Sequence, residues 1–235
     1  MADLLEHLNP NQREGVANPH GPCLIIAGAG SGKTRVLTYR IAYLMQEGVD
    51  PFRILALTFT NKAAKEMRER IHKLVGDEAR SLWMGTFHSL FSRILRIESK
   101  HIGYTSDFTI YDTTDSKSVI KEVVKTLGLD DKVYNPNVVL NRISSAKNRL
   151  ISWQEYNRNP VYFEQDRKLQ KPEMGRVYQR YAELCKRSNA MDFDVLLFNT
   201  NVLIRDYKEV LANYQRKFSH LLIEEFQDTN SSQYL

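Results

Sequence analysis

The sequence has very little cysteine and no long apolar segment. Its two cysteines, Cys23 and Cys185, lie far apart among 235 residues and outside any metal-like spacing, which argues against a disulfide framework and a zinc site. No apolar run approaches the roughly 20 residues that a membrane-spanning helix needs. Residues 1–11 contain acidic side chains and no apolar stretch, so they do not resemble a secretory signal. We therefore expect a protein of the reducing cytoplasm, outside the membrane.

The net charge of the chain is also small. The 33 Lys and Arg exceed the 28 Asp and Glu by five, and the isoelectric point is about 9.1. The excess is concentrated in residues 141–187, which hold eleven basic and five acidic residues. A solvated helical surface and a contact with a polyanion explain such a stretch equally well. The composition permits a nucleic-acid partner without requiring one.

Short apolar runs alternate with amphipathic stretches in the first part of the chain. This alternation favours a parallel sheet with crossover helices. The predicted strands and helices lie, in order, at residues 24–26, 34–46, 54–57, 61–75, 82–85 and 86–99.

The middle of the chain has a different pattern. Beyond Tyr111 the strand pattern stops, and helical spacing follows until a strand pattern returns at residues 220–223. We therefore predict a helical insertion in a discontinuous α/β domain. The predicted segments are 1–111 for the first part of the α/β domain, 112–190 for the insertion and 191–235 for the return to the α/β domain.

A glycine-rich octapeptide lies between the first predicted strand and the first predicted helix. Its glycines let the backbone wrap around phosphate oxygens, and the helix N-terminus adds about half a positive charge. Its lysine can reach the β- and γ-phosphates, and its threonine hydroxyl can bind Mg²⁺. The pattern predicts a nucleoside triphosphate but does not distinguish kinases, GTPases and motors. The residues are Ala27, Gly28, Ala29, Gly30, Ser31, Gly32, Lys33 and Thr34.

Two acids, Glu224 and Glu225, follow the last predicted strand. Phosphoryl transfer of this kind needs a carboxylate near the metal at the end of a neighbouring strand. Glu224 can hold the metal through its water shell, and Glu225 can then orient and deprotonate the attacking water. Without the glycine-rich loop, two surface acids would be the simpler interpretation.

Six segments in order resemble motifs of the UvrD/Rep/PcrA group of superfamily 1 DNA helicases. They are residues 8–12, 27–38, 57–64, 85–89, 191–194 and 224–230. The resemblance implies a RecA-like P-loop parallel sheet with helices on both faces, incomplete after the last motif, with an inserted all-helical subdomain. It further implies an ATP-dependent helicase or translocase that moves 3′ to 5′ and uses ATP and Mg²⁺. DNA repair, plasmid replication and replication restart are the pathways that it leaves open.

The resemblance also implies a role for individual residues at the nucleotide. Gln12 matches the residue that recognises the adenine edge, and Arg35 matches the arginine that packs over the adenine ring. The resemblance implies catalytic roles for Lys33, Glu225 and Gln227, and Gln227 matches a residue that senses the γ-phosphate. Thr34 and Glu224 match the metal site.

For DNA, the resemblance implies single strands and junctions between single and double strands as partners. Phe59 resembles a platform on which an unpaired base stacks, and Asn61, Thr86 and His88 resemble contacts to the strand. Without the ordered motifs, Phe59 would be interpreted as a core residue and His88 as an ordinary hydrogen-bonded histidine.

Two departures from the family pattern concern acids. The family normally has aspartate where this chain has Glu224, and Val195 stands where a second acid is common. The extra methylene of Glu224 moves its carboxylate by about 1.5 Å, and Mg²⁺ demands near-octahedral geometry. This leaves open a turnover-deficient nucleotide- and DNA-binding module. A helicase–nuclease subunit and a P-loop kinase are further alternatives.

The resemblance also bears on whether these 235 residues can hydrolyse ATP by themselves. In the family, later motifs build a second motor domain whose arginines face the γ-phosphate, and such arginines contribute about 10³- to 10⁵-fold in rate. We therefore expect these residues alone not to hydrolyse ATP at a useful rate.

Overall fold

The computed structural model describes residues 4–18 and 21–234, which form two compact units. The first, here called the sheet unit, comprises the described residues up to 90 together with 209–228. The second, the helical unit, comprises residues 91–208 and the described residues from 229 onward. Within these ranges no helix is both long and apolar enough to cross a bilayer.

The sheet unit is built on three parallel strands. They are β1 (Ile54–Thr58), β2 (Trp83–Thr86) and β5 (His220–Ile223), in the order β2-β1-β5. In register, Leu57 of β1 lies opposite Gly85 of β2 and Ile223 of β5. Because the strands are parallel, their carboxyl ends meet at one edge of the sheet, where a ligand site is expected in an open α/β sheet.

Helices cover the strands and close an apolar core. The sheet unit contains α1 (Pro10–Ala17), α2 (Lys33–Gln46) and α3 (Asn61–Val75), while α4 (Phe87–Ile97) and α11 (Lys208–Lys217) span the boundary with the helical unit. The core lies between α2, α3 and the strands, and it includes Ile41, Ile54, Met67, Ile71 and Met84. Burial of each such side chain contributes about 1.5–3 kcal/mol.

Local sequence explains where α3 begins and ends. The Thr60 hydroxyl accepts a hydrogen bond from the backbone N–H of Ala63 and caps the helix. Ala64, Met67 and Ile71 share one buried face. Gly76, with φ +70°, ends the helix. Residues 59–60, which connect β1 to α3, therefore lie at the edge of the sheet formed by the carboxyl ends of its strands.

The structure confirms the predicted fold class, a small parallel sheet flanked by helices. The predicted strand at 24–26 is wrong, because residues 22–28 form no regular element. Leu24 and Ile26 are 68% and 88% exposed. Their apolar run is typical of a strand, but a strand also needs a hydrogen-bonding neighbour. Among the described strands, β5 pairs with β1 and none pairs with residues 22–28.

The helical unit contains most of the middle of the chain. Its helices are α5 (Thr113–Thr126), α6 (Pro136–Asn148), α7 (Trp153–Arg158), α8 (Pro160–Lys168), α9 (Met174–Arg187), α10 (Phe193–Asp206) and α12 (Ser231–Tyr234). The unit also holds two short parallel strands, β3 (Thr109–Tyr111) and β4 (Ala190–Asp192). The expectation that no strand lies between Tyr111 and residue 220 is therefore wrong, because three residues are too few to show a period of two. The boundaries 1–111, 112–190 and 191–235 stay predictions.

A buried ion pair fixes the core of the helical unit. Lys147 of α6 lies 2.6 Å from the carboxylate of Asp192, and the Tyr181 hydroxyl donates to the same oxygen at 2.7 Å. The second oxygen of Asp192 accepts from the backbone N–H of Val195 and caps α10. Burial disfavours the charged form of Asp192, but Lys147 and these hydrogen bonds hold its pKa below the usual range.

Replacement of Lys147 tests this arrangement. Lys147→Met leaves a buried carboxylate without its counter-ion, so we expect the free energy of unfolding of the helical unit to fall by about 3–5 kcal/mol. Urea unfolding followed by circular dichroism measures the change. Lys168→Met, at an exposed position of α8, is the matched control. Equal stability of the two variants would contradict the interpretation.

Candidate functional site

The glycine-rich loop of residues 27–34 leads directly into α2 and has a curved backbone. Gly30 has φ +75°, and Gly32 has φ +89° and is the N-cap of α2. Only glycine adopts such values without strain. The Ser31 hydroxyl donates to the carbonyl of Gly28 at 2.7 Å and closes the turn. The loop therefore presents a helix N-terminus, where anions bind favourably.

Lys33 folds back over the loop. Its Nζ donates to the carbonyl oxygens of Ala27 at 3.0 Å and Gly28 at 3.1 Å. The ammonium thus lies on the loop, where phosphate oxygens can compete with these two carbonyls. This position suits the phosphate-binding role predicted for Lys33.

The loop also receives a side chain from α1. The amide nitrogen of Gln12 donates to the carbonyl of Ser31 at 3.1 Å, while its amide oxygen accepts from the backbone N–H of Asn9. Arg35, predicted to pack on adenine, donates to the carbonyl of His7 at 2.7 Å and lies over the ring of Tyr39. The structure therefore brings Gln12 to the loop and places the Arg35 guanidinium on His7 and Tyr39, so both side chains are already engaged with protein groups.

The acidic strand end lies against the same loop. The Thr34 hydroxyl donates to one carboxylate oxygen of Glu224 at 2.5 Å. The Thr58 hydroxyl donates to the other carboxylate oxygen at 2.9 Å. The backbone N–H of Glu224 donates to the carbonyl of Leu57, which extends the pairing of β5 with β1. The loop and the acidic end thus form one site.

Sequence analysis missed Thr58 as a site residue. It is 2% exposed at the end of β1, and the sequence pattern includes it only within the motif at residues 57–64. One feature could have indicated it, since the ends of parallel neighbouring strands meet at one edge.

Glu225 has an unusual backbone conformation. Its φ of +52° lies in the left-handed region, which is uncommon for a residue other than glycine and is often associated with function. The amide nitrogen of Gln227 donates to the Glu225 carboxylate at 2.5 Å, within a turn completed by the 3₁₀ helix Phe226–Asp228. Glu225 and Gln227 are both exposed, so a nucleotide and water can reach them.

The side-chain oxygen atoms at this site are suitable ligands for a magnesium ion. Mg²⁺ prefers a few protein oxygen ligands together with water and phosphate oxygens. Thr34 and Glu224 supply two such groups, and the described residues contain no cluster of three or more His, Cys, Asp or Glu that would form a dedicated metal cage. The longer side chain of Glu224 is accommodated between the two threonine hydroxyls.

The predicted DNA contacts lie at the end of β2 and just after β1 and β2, at the same edge of the sheet. Phe59 is half-buried, with its ring centroid 5.4 Å from that of Phe87 at an angle of 57°. The Thr86 hydroxyl accepts from the backbone N–H of Ser89 at the start of α4. Asn61 is exposed at the first position of α3, and His88 is half-buried in α4. Thr58 and Thr86 are partners in the β1–β2 register, which brings the two segments side by side.

Three features define a P-loop nucleotide-binding domain. They are glycines at a helix N-terminus, a lysine that folds over the loop, and a threonine that is hydrogen-bonded to the carboxylate at a strand end. The sequence pattern described as the UvrD/REP helicase N-terminal domain matches residues 8–235, and the chain belongs to this family.

Curated relatives match over the whole chain. It is 47% identical over 235 residues to a protein named ATP-dependent DNA helicase PcrA from Staphylococcus aureus, and 46% identical to the protein of that name from Staphylococcus epidermidis. All of this chain is covered in both cases, but it spans 31% of the length of each relative.

Gly32 offers a test of the loop geometry. In Gly32→Ala, the methyl group would lie 2.8 Å from the Gln12 amide nitrogen at a backbone φ that disfavours alanine. We expect the sheet unit to lose about 1–3 kcal/mol of unfolding free energy. In Gly28→Ala, by contrast, the methyl group would meet no atom within 4 Å. Chemical denaturation of both variants measures the difference, and equal losses would contradict the described loop.

Proposed function

We propose that this chain is the ATP- and single-strand-binding N-terminal part of an ATP-dependent DNA helicase or translocase that moves 3′ to 5′. The observation that carries the proposal is the hydrogen bond between Thr34 and Glu224, which joins the phosphate loop to the acidic strand end. Family membership and the printed name of the two relatives support the same activity for the full-length protein.

ATP is the proposed nucleotide, with its phosphates in the loop of residues 27–34. Lys33 leaves the carbonyls of Ala27 and Gly28 and binds the β- and γ-phosphates. Thr34 and Glu224 would hold the magnesium ion, which would neutralise charge on the phosphates. Glu225 orients and deprotonates the attacking water. Gln227, which already donates to Glu225, links the state of this acid to the chain that follows.

Adenine recognition involves an exchange of partners. Gln12 presents both an amide donor and an acceptor, the combination that suits the adenine edge. Because these atoms contact Ser31 and Asn9, adenine replaces at least one of the two contacts on binding. Arg35 likewise moves from the His7 carbonyl to pack on the base.

Single-stranded DNA is the proposed partner at the sheet edge. Phe59 supplies a ring for stacking, and stacking on any base needs no hydrogen-bond readout. Asn61, Thr86 and His88 supply polar groups beside it. The strand contacts are therefore expected to be largely independent of base sequence.

The basic stretch of residues 141–187 is partly neutralised within the helical unit. Arg142 pairs with Asp166, Lys147 with Asp192, and Arg176 and Arg180 with nearby acids. Five other basic residues are exposed and make neither an ion pair nor a side-chain hydrogen bond within the described part of the chain, whereas the exposed Lys186 donates to the carbonyl of Ile102. We propose that these five contact phosphates at junctions of single and double strands. They are Arg149, Arg158, Arg167, Lys168 and Arg187.

DNA repair in the cytoplasm is the proposed setting. An exposed free thiol at Cys23 supports a reducing compartment.

A second candidate within the same superfamily is a helicase–nuclease subunit, since such chains share these motifs. A turnover-deficient binding module is a third, because Glu224 replaces the usual aspartate. Restoring it with Glu224→Asp in the full-length protein distinguishes lost turnover from natural variation. A P-loop kinase gives no reason for Phe59 and His88 at the strand ends.

The deciding experiment measures ATP hydrolysis and unwinding by the full-length protein. We expect single-stranded DNA to stimulate hydrolysis, and duplexes with a 3′ tail to be unwound in preference to those with a 5′ tail. Hydrolysis that DNA does not affect would contradict the proposal. Unwinding from 5′ tails would contradict the polarity alone.

Phe59→Ala tests the proposed base platform. Loss of one stacked base costs about 1–3 kcal/mol, so we expect the affinity for single-stranded DNA to fall roughly 5- to 150-fold. Fluorescence anisotropy of a labelled oligonucleotide measures the affinity. Phe52→Ala is the matched control, since Phe52 is an aromatic residue of the sheet unit that is 55% exposed. An equal effect of both substitutions would refute the assignment.

A further inference from the structure

We propose that Thr58 is a positioning residue for the Glu224 carboxylate, and that its hydroxyl makes a glutamate usable at the magnesium site. This inference rests on the proposed function and assigns a role to a residue outside the predicted site. Thr58 reaches the nucleotide through Glu224, because its hydroxyl donates to the Glu224 carboxylate at 2.9 Å.

The carboxylate is held at both of its oxygens. Thr34 donates to one oxygen at 2.5 Å, and Thr58 donates to the other. The two threonines come from different elements, the start of α2 and the end of β1. Two donors on opposite oxygens fix both the position and the rotation of a carboxylate, whereas one donor leaves the rotation free.

Glutamate needs this second donor more than aspartate does. Its side chain has one additional rotatable bond, so its carboxylate can occupy more positions around the same backbone. The magnesium ion tolerates little deviation from octahedral geometry. A second anchor at Thr58 therefore restricts the carboxylate to the rotamer that faces Thr34.

The surroundings of Thr58 separate this role from a structural one. Thr58 is 2% exposed in β1, and a β-branched side chain suits a buried strand. Valine keeps the branched shape and removes the hydroxyl, and serine keeps the hydroxyl and removes a methyl group. A structural role would respond to shape, whereas a positioning role responds to the hydroxyl.

The test compares nucleotide affinity with and without magnesium. In the full-length protein, a fluorescent ATP analogue is titrated in excess Mg²⁺ and again in EDTA. The ratio of the two dissociation constants is the magnesium gain. We expect Thr58→Val to reduce this gain about tenfold, the effect of losing one hydrogen bond to a charged group, with affinity in EDTA unchanged. Thr58→Ser should retain the gain.

Two further variants sharpen the result. Thr38→Val removes another buried hydroxyl of the sheet unit, one that donates to the Arg35 carbonyl within α2, and it should retain the magnesium gain. In a Glu224→Ala background, Thr58→Val should change nothing further, because Thr58 then has no carboxylate to hold. Circular dichroism melting verifies that each variant is folded.

The outcomes separate this inference from the proposed function. A wild-type protein that does not bind the nucleotide contradicts the proposed function itself. A wild-type protein with a clear magnesium gain that Thr58→Val preserves overturns the positioning role alone. Failure of Thr58→Ser to retain the gain, or an equal loss in Thr38→Val, overturns it as well.

Discussion

The hydrogen bond between Thr34 and Glu224 joins residues that are 190 positions apart in the chain. It links the phosphate loop to the sheet although residues 22–28, which lead into the loop and include its first two residues, pair with none of the described strands. The entropy of closing a loop grows only slowly with its length, so a helical unit between the two residues is tolerated at little energetic cost. The bond therefore defines a shared site that neither segment forms alone.

The end of β1 serves both proposed ligands. Thr58 donates to Glu224 at the nucleotide site, while the next residue, Phe59, contacts the ring of Phe87 on the proposed DNA side. Successive side chains of extended backbone point in opposite directions, which explains how adjacent residues address different partners.

Sequence reasoning identified features that depend on local chemistry. The strand at 220–223, the helix that ends at Gly76 and the loop before Lys33 each follow from periodicity or from glycine conformation. It failed where a feature depends on distant partners. The apolar run at 24–26 lacks a strand neighbour, and the burial of Lys147 depends on Asp192, 45 residues away. The contact of Thr58 with Glu224 likewise depends on β5 lying beside β1.

The most direct test of the account is a crystal structure of the full-length protein with Mg²⁺ and a non-hydrolysable ATP analogue. The account predicts that the triphosphate occupies the loop of residues 27–34. It further predicts a magnesium ion about 2.1 Å from the Thr34 hydroxyl oxygen and bound to Glu224 directly or through one water. A nucleotide bound elsewhere, or a metal without contact to either residue, would contradict the shared site.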